Sequence, residues 1–153
     1  MNFFKNGLSS RFAVTLEADF KMDPCYVIAD KEKIEQVLIN LIENSINYSP
    51  ENSAISVITA AHIKKTYVTV EDRGYGIDAA DQKHIFDRFF TVDKARTPSK
   101  NKGTGIGLAI VKQILNDHGE IVWVESEKDK GSRFTFTLTL FDPSTHVDGT
   151  ERK

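Results

Sequence analysis

Apolar side chains recur along this chain with two different periods, and the points where the period changes divide it into elements. Ile34, Val37, Leu38, Leu41 and Ile42 fall at helical spacing, which predicts a helix with one apolar stripe. Asp30 is placed to cap its start and Ser49-Pro50 to stop it. Residues 12–17 and 25–29 read as short strands separated by a turn holding Asp23 and Pro24. Residues 54–61 and 66–72 are strand-like runs joined by the polar stretch 62–65, the pattern of an antiparallel hairpin. A helix is expected over 79–89. Another is expected from Thr104 to His118, with Leu108, Val111, Ile114 and Leu115 on one face and Gly119 as its stop. Strands at 120–125 and 132–140 close the chain. In the second, Phe134, Phe136, Leu138 and Leu140 alternate with Arg133, Thr135, Thr137 and Thr139, so one face is buried and one polar.

Strands followed by single helices, with hairpins between them, predict an α+β fold: a two-layer sandwich whose mixed, mostly antiparallel sheet carries helices on one face. The chain's 153 residues suit one domain. Residues 12–141 are expected to form it, 1–11 to be an N-terminal extension or linker, and 142–153, short of apolar residues, a disordered tail. Residues 91–102 are polar, basic and aperiodic, the composition of a long loop inside the domain.

Charge narrows the range of partners. A formal charge of -2 lacks the positive field of a nucleic-acid binder, and no apolar run is long enough to cross a bilayer, so no direct membrane contact is expected. The single cysteine, Cys25, excludes an internal disulfide and a cysteine metal cluster, and reads as a small buried hydrophobe in a cytoplasmic domain.

Packing does not account for the other face of the first helix. Asn40, Asn44 and Asn47 stand at i, i+4 and i+7, so three carboxamides share one stripe, within about 60° of arc. Asparagine competes with helical backbone bonds. The row is either a solvated face or a surface of oxygen donors, and a carboxamide oxygen is a suitable hard ligand for Mg²⁺ beside nucleotide phosphates.

Three further signals follow. Asp72-Arg73-Gly74-Tyr75-Gly76 ends the hairpin with an acid that could accept from an adenine amino group and repel a guanine carbonyl; the same residues also make an ordinary tight turn. Gly74 and Gly76 would let backbone approach a purine. Gly103-Thr104-Gly105-Ile106-Gly107 opens a helix, where free N–H groups and the helix dipole can hold phosphate, or where the glycines are simply a flexible cap. Between them, Ile85-Phe86-Asp87-Arg88-Phe89-Phe90 is an aromatic cluster around an arginine. Core packing explains part of it, and Arg88, with Lys94, Arg96, Lys100 and Lys102, could steady a polyphosphate.

In this order and over this span, the signals resemble the GHKL superfamily of ATP-binding domains (Bergerat-type fold), most closely the catalytic domain of bacterial sensor histidine kinases. QVLINLIENSINYS at 36–49 resembles the N box, Asp72 to Gly76 the G1 box, Ile85 to Phe90 the F box and Gly103 to Leu108 the G2 box. Gly131-Ser132 is similar to the small glycine turn before the last strand. The resemblance covers roughly residues 12–141. It implies ATP and Mg²⁺ as ligands, with Asn44 on the metal, Asn40 behind metal and phosphates, Tyr48 against the adenine and Asp72 accepting from its amino group. It also implies phosphates cradled by Gly103, Gly105 and Gly107, and an ATP lid at 91–102. The rest of the implied nucleotide contact falls on Asn47, Gly74, Gly76, Ile77, Phe86, Lys102, Thr104, Ile106 and Leu108, with Asn40, Asn44 and Arg88 as the catalytic set. The sequence departs from the pattern at Asn47 and Thr91, where many relatives carry a cation, and at Ile106, a volume-conserving exchange for Leu.

ATP hydrolases and serine kinases of the superfamily carry a glutamate one helical turn before the metal asparagine, as general base. Here that position is Asn40, which cannot accept a proton, and Glu43 is expected to turn away from Asn44. The resemblance thus implies transfer to an imidazole, which needs positioning and charge neutralisation. None of His62, His84, His118 or His146 lies in a Ser-His-Glu-Leu-Arg-like motif. The acceptor is expected on a separate helical dimerisation domain of a membrane-anchored parent, with a response regulator downstream. The alternatives are an ATP hydrolase and a degenerate module that binds nucleotide to regulate a partner.

Overall fold

The computed structural model describes residues 15–20, 25–92 and 103–142. Five strands form one sheet in the order β1-β2-β3-β5-β4: β1 Thr15–Phe20, β2 Ala54–His62, β3 Lys65–Asp72, β4 Val122–Glu127 and β5 Gly131–Thr139. β1 runs parallel to β2 and every other pairing is antiparallel, so the sheet is mixed and mostly antiparallel, as expected. The helices are α1 Lys31–Asn47, α2 Ala79–Gln82 and α3 Gly107–Asp117.

Register explains the core. Val57, Val70, Phe134 and Val124 are mutual neighbours across β2, β3, β5 and β4, and period-2 alternation puts them all on one face. Val37, Leu41, Ile42 and Ile46 of α1 and Val111, Ile114 and Leu115 of α3 are buried with them in one cluster. Burying a side chain such as Phe134 or Leu41 contributes about 1.5–3 kcal/mol. The α1 stripe and the β5 alternation are therefore the two halves of one core. Asp30 caps α1 by accepting from the Lys33 amide at 3.1 Å. His118, expected as a helix C-terminal residue, caps α3 through Nδ1 on the Ile114 carbonyl at 2.7 Å, while its Nε2 accepts from the Asp30 amide at 3.1 Å. One imidazole thus joins the end of α3 to the start of α1.

The structure corrects several expected elements. β1 runs to Phe20, three residues beyond its expected end, and 12–14 lie outside the described residues. Residues 25–29 are no strand: Val27 makes an isolated bridge to Leu140 at the sheet margin, and Cys25 is exposed, not buried. The helix expected over 79–89 ends at Gln82. Beyond it the backbone makes i to i+3 bonds, from the Asp87 amide to His84 at 2.8 Å and from the Phe90 amide to Asp87 at 3.3 Å. This tighter winding turns Ile85 into the core and sets Phe86 edge-on to Phe134 at 6.5 Å. α3 starts at Gly107, not Thr104, because Gly105 has φ +68, which no right-handed helix accommodates. The extension 1–11, most of the 91–102 loop and the tail from 143 lie outside the described residues.

Candidate functional site

At one end of the helix-facing side of the sheet the apolar rows give way to a polar one. Asp72 pairs with Ile55 on β2 and Ser132 on β5, and Ser132 with Ser126 on β4. All four share the face of Val70 and Phe134, so the core layer ends in a carboxylate and two hydroxyls. Asp72 is 5% exposed. Its Oδ1 accepts from the Gly74 amide at 2.8 Å and the Ser132 amide at 3.2 Å, and its Oδ2 from the Ser45 hydroxyl at 3.1 Å. Burial raises its pKa above the ordinary value; these three hydrogen bonds oppose the rise and the charge of Glu71 adds to it.

α1 crosses this end of the sheet and forms the second wall of a cavity of about 190 Å³. Asn40, Glu43, Asn44, Asn47 and Tyr48 line it from the helix, Asp72 and Ser132 from the sheet. The Asn40 Nδ2 is buried and has no hydrogen-bond partner among the described residues. Such an orphan donor costs about 1–3 kcal/mol, and an anionic oxygen in the cavity would satisfy it. Burial also raises the pKa of Tyr48, keeping the phenol neutral. Among the described residues no three His, Cys, Asp or Glu side chains gather as a metal cage. The donors in the wall are carboxamide oxygens, which suit a hard divalent ion that takes its other ligands from phosphate and water.

The third wall is the glycine-rich entry to α3. Gly103, Thr104, Gly105, Gly107 and Leu108 line the cavity. A side chain built on Gly107 would approach the Asn40 Oδ1 at 3.6 Å, and one on Gly103 the Tyr48 hydroxyl at 3.6 Å, so α1 and this segment face each other closely. Gly105 must be glycine on two counts, its φ of +68 and a Cβ that would meet the Phe90 carbonyl at 2.7 Å. Ile106, the N-cap of α3, offers no side-chain cap, so the first-turn N–H groups of an 11-residue helix start at the cavity without a side chain on them. Gly76 and Ile77 complete the lining on the β3 side.

Not every expected residue belongs to this cavity. Arg88 is not among its lining residues; with Phe89 and Ile106 it borders a separate, largely apolar cavity along α3. Phe86 packs on Phe134 in the core. Gly74 is not among the lining residues, and a Cβ there would meet the Tyr48 carbonyl at 2.2 Å. Lys102 lies outside the described residues, as do Lys94, Arg96 and Lys100. Conversely, Glu43, expected to turn away, lines the cavity, as do Ile85, Phe90, Thr91, Val92 and Ser132. Ser132 was legible as the one polar residue in phase with Phe134 and Phe136, and Ser45 as the break in the apolar stripe of α1.

Residues 29–142 match the family described as histidine kinase-, DNA gyrase B-, and HSP90-like ATPase. Sensor histidine kinase WalK of Bacillus subtilis is 45% identical over 115 residues, which are 74% of this chain and 19% of that protein. The chain thus spans about a fifth of this relative's length. The catalytic domain of histidine kinase ThkA, in a nucleotide-free form, superposes with a TM-score of 0.72 at 30% identity, covering 86% of this chain and 82% of the other. ThkA in complex with response regulator protein TrrA matches at a TM-score of 0.70 and 28% identity, over 87% of this chain and 36% of that one. With the cavity walled by a carboxamide helix, a buried aspartate and a glycine-rich helix start, the chain belongs to the histidine kinase-, gyrase B- and HSP90-like ATPases, as a catalytic ATP-binding domain of the sensor histidine kinase type.

Proposed function

We propose that the cavity holds Mg²⁺-ATP and that the domain donates its γ-phosphoryl group to a histidine on a separate helical dimerisation domain of a parent sensor kinase. The observation that carries this reading is that Asp72, Asn44 and the uncapped start of α3 line one cavity. Asp72 keeps an acceptor site for the adenine amino group, Tyr48 flanks the base, and the N–H groups of Gly105, Gly107 and Leu108 meet phosphate oxygens. Asn40 donates its unpartnered Nδ2 to the polyphosphate. Mg²⁺, held through the carboxamide oxygen of Asn44, would supply charge neutralisation on the phosphates. What remains for the protein is to keep the chain of phosphates in line with an incoming nucleophile. The response regulator bound by ThkA supports a downstream partner of the same kind.

A second reading, ATP hydrolysis, draws support from Glu43, which lines the cavity beside Asn44 and carries a carboxylate that could activate water. The two are separated by incubating the domain with the parent's helical domain and γ-labelled ATP. Acid-labile phosphohistidine with little phosphate release supports the kinase; steady phosphate release from the isolated domain, lost in Glu43→Gln, supports the hydrolase. Asn44→Ala is expected to lower phosphotransfer at least a hundredfold while adenosine affinity stays within about threefold.

A further inference from the structure

Ser45 follows Asn44 on α1 and is fully buried, 0% exposed, yet it is polar and lies among Leu41, Ile42 and Ile46. It does not line the cavity. Its hydroxyl has a task that shape alone does not require, since it donates to Asp72 Oδ2 at 3.1 Å. An ionised carboxylate offers about four acceptor positions, two on each oxygen. On Asp72 the Gly74 and Ser132 amides take both positions of Oδ1. Ser45 takes one position of Oδ2 and leaves one.

We infer that Ser45 is a positioning residue for base selection: by occupying one side of Oδ2 it fixes the carboxylate as an acceptor with a single open position toward the cavity, the position an adenine amino group fills. The inference rests on the nucleotide reading of the cavity and extends it to a residue the ligand never touches. Two consequences follow. Without the Ser45 donor, Oδ2 has two open positions and the carboxylate loses the contact that distinguishes them. The buried charge also loses one of its three stabilising hydrogen bonds, none of which comes from a cation, so the acid form gains ground. A protonated Asp72 is a donor, which mismatches adenine's amino group and matches a guanine carbonyl. The other ionisable groups near Asp72 are Glu71, next to it in the strand, on the opposite sheet face and paired with Arg133 at 3.3 Å, and Glu43 and Tyr48 across the cavity; none donates to Asp72. Ser45 also ties the base acceptor to the helical turn that carries Asn44, so the base end and the phosphate end of the cavity share one rigid element.

The experiment is calorimetric titration of the whole chain with Mg²⁺-ATP and Mg²⁺-GTP at pH 7.5 and 5.5, for the unaltered protein, Ser45→Ala, Ser45→Cys, Asp72→Asn and the Ser45→Ala/Asp72→Asn double variant. Ser45→Ala is expected to weaken ATP about tenfold at pH 7.5, the loss of one hydrogen bond to a charged group, and more at pH 5.5, with the ATP-over-GTP preference shrinking. Ser45→Cys, which keeps the volume and a weak donor, should fall between. In the Asp72→Asn background Ser45→Ala should change ATP affinity less than about twofold. The inference is overturned if Ser45→Ala binds ATP within twofold of the unaltered chain at both pH values. It is equally overturned if the loss is as large in the Asp72→Asn background, because Ser45 would then act through general packing. Failure of the unaltered chain to bind ATP would instead overturn the nucleotide reading itself, and this inference with it.

Discussion

Asp72 and Glu120 are the two acidic side chains buried among the described residues, at 5% and 3% exposure, and they sit at opposite ends of β3, Asp72 as its last residue and Glu120 against Lys65, its first. Their surroundings differ. Glu120, just after α3, accepts from Lys65 Nζ, Thr137 Oγ1 and Thr139 Oγ1, each at 2.6 Å. Burial pushes its pKa up, but the Lys65 and threonine hydrogen bonds and the Lys65 charge outweigh that, and the net shift is downward. Asp72 receives three hydrogen bonds too, from two amides and a hydroxyl, yet has no cation, and its net shift is upward. A carboxylate supplied with a counter-charge is one the fold has completed for its own stability. One left without it is held in a state that a ligand's donor can complete.

The comparison breaks most visibly at Asp72. Asp72→Asn keeps an oxygen for the Gly74 and Ser132 amides and presents an NH₂ that can donate to Ser45, so the fold loses no hydrogen bond. The cavity, however, loses its acceptor for a donor on the base. ATP affinity is expected to fall on the order of a hundredfold, while the unfolding free energy at pH 7 stays level or rises slightly, because an uncompensated buried charge has gone. Titration calorimetry and chemical denaturation check the two halves. A variant that lost stability and kept its ATP affinity would reverse the roles assigned to the two acids.

Glu120→Ala should do the opposite. Removing one partner of a buried pair is strongly destabilising, moderated here because the Lys65 side chain is 37% exposed and can be hydrated. A loss of about 2–3 kcal/mol is expected, with ATP affinity within about twofold. The pH dependence has opposite signs at the two sites. Glu120, with its folded pKa below the ordinary 4.5, contributes stability present above that value and lost as pH falls through the lower folded value. Asp72, raised above 3.8, takes up protons in the folded state more readily than in the unfolded one. Its contribution therefore falls as pH rises from 3.8 through the raised value, and is flat beyond. Urea denaturation from pH 3 to 7 should show Glu120→Ala losing least at the acid end.

How legible this contrast is in the sequence differs between the two acids. Asp72 stands out because a strand of alternating residues ends in Asp-x-Gly-x-Gly, and α1 because a 3.6-residue period, a capping aspartate and a row of asparagines coincide on one segment. Glu120 reads as the first residue of a strand, and nothing local reveals that Lys65, 55 residues away, reaches it. The same holds at 83–90. The Gln82 side-chain Nε2 donates to the Ser126 carbonyl at 2.9 Å, and the Phe89 backbone amide to the Gly105 carbonyl at 2.9 Å. These long-range ties override a sequence whose local preference is helical, and they carry Arg88 away from the cavity. Ser45 and Ser132 show an intermediate case. Each is a polar interruption in an apolar period, visible at once, but nothing local shows that the Ser45 hydroxyl and the Ser132 backbone amide both donate to Asp72, from 27 and 60 residues away.

The finest test of the contrast is Lys65→Met, which removes the cation, keeps the hydrocarbon stem and leaves both threonine donors in place. If the counter-charge separates the two acids, this substitution makes Glu120 resemble Asp72: a buried carboxylate held by neutral donors alone. Burial should then prevail and move its pKa upward, which side-chain carboxyl chemical shifts can follow directly. Because Lys65 is partly exposed, the stability lost at pH 7 is expected to be only about 1 kcal/mol, and the loss shrinks as pH falls through the lowered folded value of the unaltered protein, below which both carboxyls are protonated. A Glu120 that still titrated below its ordinary value would mean that two threonine hydroxyls suffice to hold a buried carboxylate ionised. The upward shift at Asp72 would then need a cause in its neighbours other than the missing cation, with the like charge of Glu71 the first to test.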